Sequence, residues 1–151
     1  GKGSFETSLE QFIRFFQDAS ISNTPRRGKK DDGLDVVARK SFRDKRPGGL
    51  LIFGQCASGE DWRNKLSDFQ IQPFLELWIS GPLYAEKIRS FFIPHAPSDT
   101  PQAFGEHNLK GGILFDRCRI AQCLLQAEPS ASTVQRAWLE QKLQPFEGSV
   151  L

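Results

Sequence analysis

Two polar side chains sit where this chain has least reason to place them. Asp35 lies inside Leu34-Asp35-Val36-Val37-Ala38, where every neighbour is apolar, and strand alternation sets it on one sheet face with Val37. Gln55 ends the run Leu50-Leu51-Ile52-Phe53-Gly54 and is followed by Cys56, a polar amide at the tip of a buried strand. Burying a carboxylate without a partner is costly, and paired hairpin strands could bring these two groups together. Structural roles are also open to them: Asp35 could cap a turn begun by Asp32-Gly33, and Gln55 could satisfy backbone groups at a strand end. Glu6 and Glu10, four apart, lie above one another on one flank of a helix, where they could do chemistry or simply solvate it. His95, His107, Cys118 and Cys123 are zinc-ligand types, but their spacing is wide and no Cys-x-x-Cys is present, so ordinary histidines and thiols are the better reading. Residues 26 to 46 hold nine Lys/Arg against four Asp, a local surplus of five positive charges in a chain of net charge +2. Such a segment, with Arg26, Arg27, Lys29, Lys30, Lys40 and Arg43, can attract a phosphate backbone or coat a solvated loop.

The elements that must position these groups follow from periodicity. Phe5, Leu9, Phe12, Ile13 and Phe16 recur at helical spacing behind Ser4, predicting an amphipathic helix over 4–19. Residues 20–33 read as a polar loop. Residues 34–40 and 50–57 read as two strands, and the short basic link 41–49 makes a hairpin the economical connection. A short helix is expected over 61–66, capped by Ser58 or Asp61, and a second over 71–79. Residues 89–95 read as a third strand stopped by Pro94 and Pro97, then a Pro/Gly/Asp-rich loop to about Lys110 and a short buried strand over 112–115. Asp116-Arg117 marks a helix start, a structural device with Ile120, Leu124 and Leu125 behind it, and a closing helix is expected over 132–144. That order is α+β or a mixed α/β sheet.

At this point the residues resemble a family. Phe5-Glu6 opening a helix, then Gly33-Leu34-Asp35-Val36-Val37-Ala38, then Leu51-Ile52-Phe53-Gly54-Gln55-Cys56, is similar to the PD-(D/E)XK nuclease superfamily, in its Mrr-like and Holliday-junction-resolvase-like branch. The resemblance covers residues 4 to 95 in element order. It implies an α/β fold with a restriction-endonuclease-like core, a central mixed β-sheet flanked by helices. It also implies a divalent metal, Mg2+ or Mn2+, held by Asp35, by Gln55 and by the carbonyl of Cys56, all hard oxygen ligands. Glu6 would order a metal-bound water or a second metal, with Glu10 its substitute. The family lysine of Q-x-K falls at position 57, where this chain has Ala57. Lys65 is the expected replacement, because a helix starting near Asp61 can project it back toward the strand tip; Lys40 is a second candidate. The implied activity is endonucleolytic cleavage of DNA within a prokaryotic restriction or anti-phage defence protein. The alternative is an inactive nuclease-fold domain that binds DNA or protein.

Length and composition bound these expectations. At 151 residues with 38% hydrophobic and 25% charged residues, the chain is long enough for one core, and two are not expected. We divide it into a nuclease-like domain over 1–127 and a C-terminal helix over 128–151 packing on or extending it. No apolar run approaches the roughly 20 residues that cross a bilayer. Three cysteines, an odd number, read as reduced thiols and a cytoplasmic setting. The opening Gly1-Lys2-Gly3-Ser4 and the absence of Met suggest a piece of a longer chain, so further domains or defence-system subunits are expected partners, and a homodimer would suit cutting of both strands.

Overall fold

The computed structural model describes residues 4–13, 19–22, 32–40, 42–44 and 46–126. The element order is α1 (Ser4–Ile13), β1 (Ser20–Ile21), β2 (Val36–Lys40), β3 (Leu50–Cys56), a single 3-10 turn (Trp62–Lys65), α2 (Ile71–Trp78), β4 (Ile79–Ser80), β5 (Glu86–Phe92), α3 (Pro101–Gly111), β6 (Ile113–Phe115) and α4 (Arg117–Gln126). Arg26, Arg27, Lys29, Lys30, the end of the expected first helix and the segment 128–151 lie outside the described residues.

The chain is mixed α/β. Its main sheet has the order β2-β3-β5-β6, and a second, two-stranded ladder joins β1 to β4. β2 and β3 form the expected antiparallel hairpin, with Val36 opposite Gly54 and Lys40 opposite Leu50. β3 and β5 run parallel, as do β5 and β6. Parallel neighbours need a crossover, and α2 and α3 supply the two. A right-handed hand for both puts them on one face of the sheet.

That face carries the core. Leu51 and Phe53 of β3 alternate toward Leu9 and Ile13 of α1 and toward Phe74 and Trp78 of α2. Ile71, Phe74, Leu75 and Trp78 recur at i, i+3, i+4 and i+7, which is why α2 forms and why it presents this stripe. Phe53 and Phe74 meet at 6.2 Å, and Phe74 stacks on Trp78 at 6.2 Å. Each fully buried aromatic contributes about 1.5–3 kcal/mol. A second cluster, Ala57, Trp62, Leu66, Phe91, Ile93 and Leu114, continues the layer toward α3.

The segment after Pro97 corrects the expectation of a loop, since Pro101–Gly111 is helical. Thr100 caps it, its Oγ1 accepting from the Ala103 amide at 3.2 Å, and Pro101 occupies the first turn, where a missing N–H costs nothing. The helix has no apolar stripe that periodicity could detect: Phe104 is half-buried while Leu109 is 86% exposed. Asn108 then ties α3 to the sheet, its Oδ1 accepting from the Leu114 amide at 2.9 Å. β5 also begins three residues before the expected strand, at Glu86, and ends at Phe92. Asp61 precedes the 3-10 turn without a side-chain capping bond, and its carboxylate instead lies 3.5 Å from Lys65 Nζ.

Candidate metal and phosphodiester site

Asp35, Gln55 and Cys56 lie at the end of the sheet where β3, β5 and β6 finish and β2 begins. Asp35 reaches this end one residue before β2. Its amide donates to the Gly54 carbonyl at 2.9 Å, and its Oδ2 accepts from the Cys56 amide at 2.7 Å. Asp35 therefore grips β3 on both sides of Gln55. A carboxylate accepts through two oxygens, so this bond orients Asp35 without consuming it.

Gln55 continues the face of Leu51 and Phe53 and is 9% exposed. Among the described residues its Oε1 is buried without a hydrogen-bond partner. The amide lies under the turn Asp32-Gly33, where a Cβ added at Gly33 would come within 3.5 Å of Gln55 Nε2. Gly33 has φ +84° and Asp32 φ +50°, so the turn uses left-handed backbone at two successive residues. Trp78 holds it there, its Nε1 donating to Asp32 Oδ2 at 2.7 Å. The core helix α2 thus sets the loop that delivers Asp35, a dependence no local motif reveals.

An unpartnered buried oxygen costs about 1–3 kcal/mol and calls for an explanation. A hard cation would provide one: Asp35, Gln55 Oε1 and the Cys56 carbonyl are the oxygen donors magnesium takes. Among the described residues, no group of three or more His, Cys, Asp or Glu side chains is placed to hold a metal. Within the candidate set only Asp35 is an acidic side chain, the others being an amide and a carbonyl. Glu6 lies in the first turns of α1, and Glu10 one turn further on.

The cations fall in different places. Ala57, where the family lysine would stand, is 6% exposed and packed in the apolar cluster with Trp62 and Leu66. Lys65 sits on the 3-10 turn that follows, its Nζ 3.5 Å from Asp61 Oδ1. Lys40 ends β2 at the opposite end of the hairpin, five residues from Asp35 or about 16 Å at 3.3 Å per residue. No lysine side chain spans that gap, which removes Lys40 as a substitute for the family lysine. Arg43 is exposed in the turn beyond it.

Burial, and secondarily the Asp35 carboxylate, push the Cys56 thiol above its ordinary pKa. It therefore stays protonated at neutral pH and is a poor nucleophile. Cys56 should be alkylated by iodoacetamide more slowly than Cys118 and Cys123 at pH 8, with the gap closing as pH rises through the raised value. Asp35→Asn should speed the Cys56 reaction, and an unchanged rate on peptide mapping would contradict the assigned coupling.

No family model, curated protein or solved structure matches this chain. Among the described residues no helix is long and apolar enough to cross a membrane.

Proposed function

We propose that the chain is a metal-dependent DNA endonuclease module with a restriction-endonuclease-like core, one part of a prokaryotic restriction or defence protein. One observation carries the reading: the Asp35 carboxylate is hydrogen-bonded to the amide of Cys56, the residue next in sequence to Gln55, whose buried side-chain oxygen has no partner among the described residues. A helix, an antiparallel hairpin and a crossover to a parallel strand, in that order, support it as architecture. Asp35, Gln55 Oε1 and the Cys56 carbonyl would hold Mg2+ or Mn2+, which when bound polarises a phosphoryl oxygen and lowers the pKa of a coordinated water. In this reading Asp35 orients the ligand set through the Cys56 amide, and Gln55 excludes water from the side of the core. DNA is the proposed partner, and a homodimer would place two sites for cleavage of both strands.

The test is nicking of supercoiled plasmid with magnesium or manganese, with Asp35→Ala as control. Equal nicking by both proteins would assign the activity to a contaminant and remove the proposal.

A second reading, an inactive nuclease-fold domain that binds DNA or protein, draws on Ala57 in its apolar pocket and on Lys65 paired with Asp61. Lys65 separates the two. A cation acting on charge that develops in the transition state is worth on the order of 10²-fold or more in rate. If Lys65 supplies it, Lys65→Ala should leave metal and DNA affinity nearly intact while cleavage collapses. Undiminished cleavage in Lys65→Ala would rule out that role.

A further inference from the structure

The end of the sheet away from Asp35 carries features that the proposed site does not use. There β2 finishes while β3 and β5 begin, so Lys40, Leu50 and Glu86 stand in register as one row across the three strands. Among the described residues six large apolar side chains are exposed, and three of them gather at this end: Phe42 at 69%, Tyr84 at 59% and Leu50 at 41%. They include both aromatics of the six. Single exposed apolar residues are ordinary on a protein surface, whereas a group of them that includes aromatics marks a place of contact.

The backbone presents these rings from held positions. Phe42 follows β2 by two residues in the hairpin link, and beyond it the Arg46 amide donates to Asp44 Oδ1 at 3.2 Å, closing a local turn. Tyr84 lies in the turn that leads into β5, where the Ala85 amide donates to the Leu83 carbonyl at 2.9 Å and Lys87 Nζ to the same carbonyl at 3.0 Å. The two links meet. The Glu86 amide donates to the Gly49 carbonyl at 2.9 Å, and a Cβ built on Gly48 would lie 3.6 Å from the Tyr84 carbonyl oxygen, in van der Waals contact. Phe42 and Tyr84 therefore flank β3 from opposite sides, on strands two separations or about 10 Å apart.

Charge decides what kind of partner such a surface suits. On these strand ends and their links the exposed cations Arg39, Lys40, Arg43 and Arg46 outnumber the carboxylates Asp44 and Glu86 two to one among the described residues. A positive surplus beside exposed rings suits a polyanion that also offers flat apolar faces. A nucleic-acid single strand is such a partner, because its phosphates meet the cations while its unpaired bases stack on the rings. A duplex keeps its base faces stacked inside and would use the cations alone. The span between the rings equals about three steps of a stacked strand that rises 3.4 Å per nucleotide.

We propose that Phe42 and Tyr84 are stacking platforms for single-stranded DNA, with Lys40, Arg43 and Arg46 meeting its phosphates. The choice of DNA rests on the nuclease reading. It gives that site a substrate class, a DNA whose unpaired segment lies about 16 Å, or about five nucleotides, from the bond cut at Asp35.

Anisotropy of a fluorescein-labelled oligothymidylate of about 15 nucleotides, measured in EDTA over a series of KCl concentrations, reads the surface without cleavage. An oligouridylate and a DNA duplex of equal length are the comparison arms. Wild type should bind the single strand about tenfold or more tighter than the duplex. Phe42→Ala and Tyr84→Ala should each weaken single-strand binding about tenfold, with the salt slope and the duplex affinity unchanged. Both side chains are exposed, so the melting temperature should hold. Phe42→Trp and Tyr84→Phe should bind as wild type. Lys40→Gln combined with Arg43→Gln should flatten the slope of log affinity against log salt by about 1.4, the value for two phosphate contacts on a single strand. The proposal is overturned if wild type does not prefer the single strand to the duplex, or if both alanine variants bind it as wild type does. Tighter binding of the uridylate would assign the surface to RNA and overturn the choice of DNA. A dimer in sedimentation velocity that Phe42→Ala dissolves, with no nucleic-acid binding, would assign the surface to a second copy and overturn it as well. Single-strand binding that needs both rings, in a protein that nicks plasmid no better than Asp35→Ala, would sink the nuclease reading alone; nicking with alanine variants that bind as wild type would sink the platforms alone.

Discussion

Asp35→Asn is expected to abolish the calorimetric signal of magnesium or manganese binding and to lower plasmid nicking by on the order of 10²-fold or more. The substitution is nearly isosteric, and the amide oxygen of Asn can still accept from the Cys56 amide that Asp35 Oδ2 meets at 2.7 Å, so the strand end should keep its shape. What disappears is the formal charge, the one acidic side chain among the three proposed ligands. The complementary change, Gln55→Glu, should tighten metal binding about tenfold, because ligand charge count sets affinity at hard-cation sites. It should also make the fold depend on metal. A carboxylate at a position that is 9% exposed is costly without a cation, so the Glu variant should melt below wild type in EDTA and recover when magnesium is added. If Gln55 is only a strand-end spacer, the EDTA penalty remains and magnesium does not relieve it. That outcome, with an unchanged titration of Asp35→Asn, would dismantle the shared-ion arrangement.

The largest stability effect is expected far from that chemistry, at Gly112. This residue closes α3 with φ 82° and ψ −161°, a region open essentially to glycine alone. A Cβ there would overlap the Arg89 carbonyl. The neighbourhood cannot give way easily. Arg89 is anchored from its other end, Nη1 donating to the Phe69 carbonyl at 3.1 Å and Nη2 to that of Lys110. Burial lowers the pKa of its guanidinium, and the two carbonyl acceptors offset part of the cost of holding that cation away from water. Strain and overpacking together put Gly112→Ala at about 3 kcal/mol or more, a large share of the roughly 5–15 kcal/mol that holds a domain together. A fall in Tm of about 10 °C is expected by circular dichroism, and a change under about 2 °C would refute the account.

The hairpin was the most legible part of the chain. Asp35 within an apolar run and Gln55 at the end of another are local anomalies, and a short link between two strands leaves few ways to arrange them. The structure forms the expected hairpin and bonds Asp35 to the Gly54 carbonyl and the Cys56 amide on β3, but leaves Asp35 exposed where its apolar neighbours suggested burial. α2 was equally readable, since its stripe from Ile71 to Trp78 is a packing requirement written at helical spacing. α3 was not. Its stability comes from the Thr100 cap, a proline in the first turn and the bridge from Asn108 to Leu114, while Gly105 and the exposed Leu109 blur any periodic signal. The clamp of Trp78 on Asp32 joins residues 46 apart, and pairing at that range is decided by the assembled core, not by either segment. The same holds for the meeting of His95 with Ser58 and of Arg117 with Pro94, which only the parallel register of three strands brings about.

The two rims of the main sheet bear on how copies of this chain can meet. Among the described residues the sheet ends on one side in β2, whose last three residues, Ala38, Arg39 and Lys40, are exposed and two-thirds cationic. On the other it ends in β6, three residues long and entered through Gly112. A charged margin and a very short one are both poor templates for an incoming strand, because like charges would face each other across the first and too few backbone groups are offered by the second. Joining of sheets edge to edge, the route by which open β-structures run into fibrils, is therefore discouraged at both of these margins of the described sheet, and pairing of two copies is left to side-chain surfaces there.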